Sequence, residues 1–173
     1  ARHLHSAAQR VAEQGRMPRS LEELRELPGI GPYPAAAVAS IAFGEPAGVL
    51  DGNVERVVSR LLASGDDPKS TAGRRRLLAR VEGELLEPAR PGDSNQALME
   101  LGATVCLPQR PQCPRCPLRP DCRAAGLGDP ESYPVPRKRR APIAVRRAVA
   151  VVRGGGDGRV LLYRRPDSAE LLA

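Results

Sequence analysis

All four cysteines of the chain sit in one proline-studded run, CLPQRPQCPRCPLRPDC, from Cys106 to Cys122. This crowding constrains the fold more than any other feature. Disulfides would have to close very small loops between residues that prolines hold extended, and no signal-like apolar run marks the chain as secreted. The spacing C-x6-C-x2-C-x5-C contains one C-x2-C pair, whose two thiolates can reach one ion or one cluster face, with a flanking cysteine on each side. A four-cysteine zinc site usually uses two such pairs separated by a longer loop. A compact run of four thiolates suits an iron–sulfur cluster better. Pro108, Pro111, Pro114, Pro117 and Pro120 block helix and favour an extended wrap, which lowers the entropy cost of arranging ligands.

The rest of the chain reads as helices. Aromatic residues make up 2% of it and tryptophan is absent, so the core has to be built from Leu, Val, Ile and Ala. RHLHSAAQRVAEQ has helical character. SLEELREL follows, with Ser20 as its cap and Glu23 completing a capping box. That helix stops at PGIG. The next begins near Pro32, where proline is tolerated in a first turn, and runs to Gly44. DGNVERVVSRLLAS, AGRRRLLARVEGELL and DSNQALMELGATV are three further helices, the last delivering the chain to Cys106. His3 and His5 fall on different faces of the first helix and carry no expected role. After the cysteines the composition changes. GLGDPESYPVPRKRRAP reads as a linker, and RRAVAVV and RVLLYRRP as two strands joined by RGGGDG. Two strands alone are marginal in water, so residues 145–173 read as the opening of a second domain. The expected organisation is a helical domain over 1–105, a cysteine loop over 106–125, a basic linker over 126–144 and the domain start over 145–173.

Charge is uneven. Residues 1–100 net −1, whereas 101–173 net +8, which together give the chain its +7. An anionic partner, nucleic acid first, is the natural inference, against a solvated basic linker. Arg110, Arg115, Arg119 and Arg123 in the cysteine loop can offset the negative charge of a thiolate-held group or meet phosphate. In LPGIG, Gly29 and Gly31 permit a tight turn whose backbone N–H groups, beside the N-terminus of the next helix, can bind an anion. Asp51, in VLDGNV, follows an apolar run and stands at a helix mouth, where a carboxylate stays ionised. Either feature alone is also an ordinary connection or cap.

Together and in this order, LPGIG, VLDGNV and the cysteine loop resemble the helix–hairpin–helix DNA glycosylases with an iron–sulfur loop, and among them the adenine DNA glycosylases of the MutY type. The likeness runs through ARHLHSAA, LPGIGPYPAAAVASIAFG, LDGNVERVVSRL and ARPGDSNQALMELGATVC. VLLYRRPDSAELLA is similar to the opening of that family's C-terminal Nudix-like domain. The resemblance implies a mainly α fold and a [4Fe-4S] cluster on Cys106, Cys113, Cys116 and Cys122. It implies DNA contact through Gly29, Ile30 and Gly31, and hydrolytic removal of adenine paired with 8-oxoguanine in double-stranded DNA. Asp51 matches the carboxylate that stabilises positive charge on the sugar, and Asn53 a residue that helps hold it. Relatives that also cut the strand carry a lysine where this chain has Tyr33, so base removal without lyase chemistry is implied. Pro34 departs from the small hydroxyl residue usual after that tyrosine. The family's general acid is a glutamate upstream of the stretch matched by ARHLHSAA, so the chain reads as a piece cut at both ends and is expected to be inactive on its own. Alternatives are a non-catalytic iron–sulfur DNA-binding module and a related glycosylase acting on another base. A monomer is expected inside the cell, in the bacterial nucleoid or the eukaryotic nucleus, with no membrane association.

Overall fold

The computed structural model describes residues 2–135 together with Val151 and Val160. Apart from Val151 and Val160, the expected hairpin lies outside the described residues, as do residues 136–144 of the expected linker. The elements are helical: α1 Arg2–Gln14, α2 Leu21–Arg25, α3 Pro32–Phe43, α4 Gly52–Leu62, α5 Thr71–Arg80, α6 Pro91–Thr104 and α7 Arg123–Gly126. Short 3-10 turns at Cys113–Arg115, Arg119–Asp121 and Pro130–Ser132 occupy the cysteine loop and the segment after it.

Local chemistry accounts for the element ends. Ser20 caps α2 by accepting the Glu23 N–H at 3.2 Å. The expected reciprocal half of a capping box is not formed there. The Glu23 carboxylate accepts the Arg19 N–H at 3.1 Å and pairs with Arg16 instead. It thereby pins the loop entering α2 rather than the cap residue. Gly44 closes α3 in the left-handed region at φ +71°, which glycine adopts without steric cost.

A second departure lies after α5. The sequence suggests one helix through Leu86, but the turn Val81–Leu85 widens to π geometry, with the Leu86 N–H bonding the Val81 carbonyl at 2.9 Å. Val81 and Leu86 are both buried. Residues five apart share a helix face only when the turn is widened, so the bulge keeps both in the core.

The main core gathers Leu50, Val54, Val57, Val58, Leu77, Val81 and Leu98. Each such side chain contributes roughly 1.5–3 kcal/mol on burial. A second cluster, Ala7, Leu24, Leu27, Ala35 and Ala39, joins α1 to α2 and α3. Two glycines of α6 let helices approach closely. A Cβ on Gly92 would lie 2.9 Å from the Ser40 carbonyl of α3, and one on Gly102 would lie 2.7 Å from the Asn53 Cβ of α4. The polar Asn95 of α6 is fully buried. Its amide nitrogen donates to the Ser40 hydroxyl and the Ala47 carbonyl, each at 2.9 Å, and its oxygen accepts the Val49 N–H at 3.0 Å. One side chain thus ties α3 and α6 to the extended segment that leads into Asp51.

Candidate functional site

The hairpin turn spans Glu26 to Gly31, between α2 and α3. Its internal bonds run from the Leu27 N–H to the Leu24 carbonyl at 3.2 Å and from the Ile30 N–H to the Leu27 carbonyl at 3.1 Å. The Gly29 and Gly31 N–H groups stand outside those bonds. The two glycines have different reasons to be there. Gly29 has φ +78°, and a Cβ on it would fall 2.4 Å from the His3 Cβ. His3, read from sequence as a residue without a role, therefore lies against the hairpin. Gly31 has φ −82°, an ordinary value, and a Cβ on it would meet nothing within 4 Å. Nothing inside the described chain requires glycine at position 31, whereas an external group approaching the backbone would. Ile30 is half-buried and packs on the cluster formed by Ala7, Leu24, Leu27, Ala35 and Ala39.

Asp51 is the N-cap of α4. Its Oδ1 accepts the Val54 N–H at 2.7 Å, which leaves Oδ2 outside that bond. Half-buried Tyr33, in the first turn of α3, packs on the cluster of Ala36, Ala47 and Val49 that underlies the segment entering Asp51. The Asn53 oxygen accepts from Arg56 Nη2 at 2.9 Å, so its described partner is an arginine one turn along α4.

Two arginines on one stripe of α4 extend the site. Arg56 donates from Nε to the Cys106 carbonyl at 2.7 Å and from Nη2 to the Gly102 carbonyl, also at 2.7 Å. Burial pulls its guanidinium below the ordinary arginine value. Cys106 opposes that shift, Arg60 adds to it and Asp51 opposes it. Arg60, one turn further, is 2% exposed. It donates to the Leu107 carbonyl at 2.6 Å, the Pro108 carbonyl at 2.9 Å and the Tyr133 carbonyl at 3.0 Å, and reaches the Cys106 sulfur at 3.4 Å. The Cys122 thiol donates back to the Arg60 carbonyl at 3.5 Å. A buried guanidinium is tolerated only when its donors are satisfied, and carbonyls of the cysteine loop satisfy them here.

The four cysteines are half-buried and none is bonded to another. All four line one cavity, together with Arg60, Val105, Pro111, Arg119, Ala125 and Pro130. Burial pushes the Cys116 thiol up, and the proximity of Cys106, Cys122 and Cys113 adds to the shift against a bond from the Leu118 N–H. Among the described residues, no three His, Cys, Asp or Glu side chains gather at the spacing of a single ion. The sulfurs line the wall of a shared space instead. Four soft sulfur donors around a cavity, with a buried cation alongside, fit a bound group that carries negative charge. Of the loop arginines named from sequence, Arg119 lines this cavity. Arg115 bonds Gln112 at 2.6 Å on the exposed side.

Sequence reasoning missed Arg56, Arg60 and Asn95. The signal for the arginines was the spacing Asn53, Arg56, Arg60, a polar stripe at helical period beside the apolar stripe of Val54, Val57, Val58 and Leu61. Its partners lie about fifty residues away.

A helix–hairpin–helix motif model matches residues 12–41, spanning α2, the turn and most of α3. Among solved structures, the chain is similar to a thermostable thymine-DNA glycosylase, with a TM-score of 0.64 and 29% identity over 73% of this chain and 58% of that one. Fold, hairpin and cysteine loop together define a helix–hairpin–helix glycosylase scaffold. Among curated relatives, the human adenine DNA glycosylase is 54% identical over 126 residues, covering 71% of this chain and 23% of that protein. The adenine DNA glycosylase of Arabidopsis thaliana is 38% identical over 97% of this chain and 28% of that protein. The chain belongs to the adenine DNA glycosylase family, and it spans about a quarter of the length of these relatives.

Proposed function

We propose that this chain forms the hairpin, catalytic-carboxylate and cluster-loop portion of a DNA glycosylase that hydrolyses the bond between adenine and deoxyribose where adenine is paired with 8-oxoguanine. The observation that carries the reading is α4. It presents Asp51 at its N-terminus, and its next two turns bind the cysteine loop through Arg56 and Arg60. When the C1′–N9 bond breaks, its electron pair leaves with adenine and positive charge develops on the sugar. The Asp51 carboxylate stabilises that charge until water adds at C1′. Tyr33 stands where strand-cutting relatives carry a lysine, which supports hydrolysis without a covalent amine intermediate. Gly29, Ile30 and Gly31 hold a phosphate of the duplex, which helps offset the few kcal/mol of extruding the base.

Cys106, Cys113, Cys116 and Cys122 hold a [4Fe-4S] cluster, which supplies a rigid, charged anchor for the loop. Arg60 offsets that charge and fixes the loop against α4. The leaving adenine must be protonated as it departs, and we assign that step to an acid outside residues 1–173.

The test is single-turnover release of adenine from a duplex with 8-oxoguanine opposite adenine, run on residues 1–173 and on a chimera joining them to the preceding region of the human relative. The chimera should release adenine and lose that activity on Asp51→Asn. Residues 1–173 alone should release no measurable adenine, since a missing general acid costs roughly 10²–10⁴-fold and missing pocket walls add to that. Release by the Asp51→Asn chimera at the parent rate would refute the assignment. Release of thymine or uracil instead would place the specificity elsewhere.

A further inference from the structure

The peptide units on either side of Asp51 are held by a device that the reaction chemistry does not require. Glu55, one turn into α4, is buried, with its side chain 4% exposed. Its backbone N–H donates to the Asp51 carbonyl at 2.8 Å. Its carboxylate pairs with Arg74 of α5 through Oε1 and with Lys69 through Oε2 at 2.8 Å. Arg74 also uses its second terminal nitrogen to donate to the Leu50 carbonyl, the peptide oxygen immediately before Asp51. A closed ring results: Leu50 carbonyl, Arg74, Glu55 carboxylate, Glu55 N–H, Asp51 carbonyl.

From this ring we propose that Arg74 and Glu55 are positioning residues, a clamp fixing the turn into α4 that aims the Asp51 carboxylate at the sugar. The proposal rests on the reading of Asp51 given above. Glu55 is buried although it sits in the first turn of a helix, where an acidic residue gains from the helix N-terminus while exposed. A buried carboxylate carries a desolvation cost that a cation must offset. Lys69 already reaches it. The further recruitment of Arg74 has a geometric return, because a planar guanidinium can hold two acceptors in fixed relation and an ammonium cannot. The two acceptors held are the carboxylate of α4 and the backbone next to Asp51. The turn is thus defined from α5 as well as by the N-cap bond from Asp51 to the Val54 N–H.

The decisive variant is Arg74→Lys, which keeps a cation beside Glu55 but cannot span to the Leu50 carbonyl. Lys69→Met, removing the cation that bonds Glu55 alone, is the comparison. Two measurements on the 173-residue chain decide. The first is residue-resolved amide exchange. Arg74→Lys should accelerate exchange at Val54 and Glu55 by at least tenfold, with Val58 to Leu61 within threefold of the parent. The second is the ratio of affinities for duplexes carrying a cationic azasugar or a neutral tetrahydrofuran at the target position, which reads whether a carboxylate faces the sugar. The parent should prefer the cationic site. Asp51→Asn should abolish the preference, Arg74→Lys should reduce it at least fivefold, and Lys69→Met should keep it within twofold. Unchanged exchange at Val54 and Glu55 in Arg74→Lys overturns the clamp. Faster exchange with an intact preference overturns its positioning role, and so does an equal loss in Lys69→Met. If Asp51→Asn itself leaves the preference intact, the assignment of Asp51 fails and the positioning role falls with it, while the exchange data still report the clamp separately.

Discussion

Gly102→Ala sets two effects of known size against each other. Gly102 lies in the last turn of α6, where alanine is worth about 1 kcal/mol over glycine in helix propensity, so a reading from sequence predicts stabilisation. The structure predicts the opposite. The new Cβ would stand 2.7 Å from the Asn53 Cβ and 3.1 Å from the Asn53 carbonyl carbon and oxygen. These atoms belong to the backbone of α4 or are rigidly attached to it, and no rotamer change can move them aside. Relief requires α6 to shift away from α4, and such overpacking costs about 1–3 kcal/mol. The shift also strains the 2.7 Å bond from Arg56 to the Gly102 carbonyl, and a bond from a charged donor is worth about 1.5–3 kcal/mol. With about half of that bond's worth lost and the propensity gain subtracted, the variant should lose about 1–3 kcal/mol. At about 4 °C per kcal/mol, the melting midpoint should fall by about 4–12 °C. Gly83→Ala is the matched control. It sits in the widened turn after α5, a Cβ there would meet nothing within 4 Å, and its midpoint should hold or rise. Thermal unfolding followed by circular dichroism reads both. A midpoint for Gly102→Ala at or above the parent's would refute the close helix approach and the Arg56 geometry built on it.

Gly31→Ala should leave the melting midpoint within about 2 °C yet weaken duplex binding roughly tenfold, because only an outside group needs that space, whereas Gly29→Ala should lower both; equal stability losses would show that the turn is merely a connector. Anaerobically purified protein should be brown with about four irons per chain, and Cys113→Ser should lose the colour and unprotect residues 106–122 from protease while α1 to α3 stay helical; one stoichiometric zinc in colourless protein would overturn the cluster assignment. Glu23 is held down to about 2 from an ordinary 4.5 by its bond to Arg16 and then by the Arg19 N–H. A depressed folded-state value stabilises the fold above pH 4.5 and is lost as pH falls toward 2, so Glu23→Gln should flatten the pH dependence of unfolding in that window, and an unchanged curve would show that the exposed pair is screened.

The helices were legible because their signals are local: apolar residues at helical period, Pro32 in a first turn, Gly44 past an end, Ser20 before a start. The turn at the hairpin glycines, the cap position of Asp51 and the gathering of the cysteines around one cavity were legible because their order and spacing are themselves the signal. The π turn was not, since the need to bury Val81 and Leu86 together is set by the packing around them. Arg56, Arg60 and Glu55 were hidden for a related reason. On a helix taken alone they read as a solvated polar face, and their burial follows from what packs there: the cysteine loop for the arginines, and α5 for Glu55.

The genetic code leaves Asn95 without a neighbouring substitute. Two donated bonds and one accepted bond converge on a single buried amide. Single-base changes to an asparagine codon give Asp, Ser, Thr, Ile, Tyr, His or Lys. Aspartate loses both donors and adds a charge. Serine and threonine are too short to reach α3 and the 47–49 segment together. Isoleucine leaves the Val49 N–H and the Ala47 carbonyl orphaned, and histidine, tyrosine and lysine do not fit the volume. No one-step change preserves the three-way joint, so a saturation scan should find position 95 closed to every variant one nucleotide away, although its bonds run to Ser40, Ala47 and Val49 in the core.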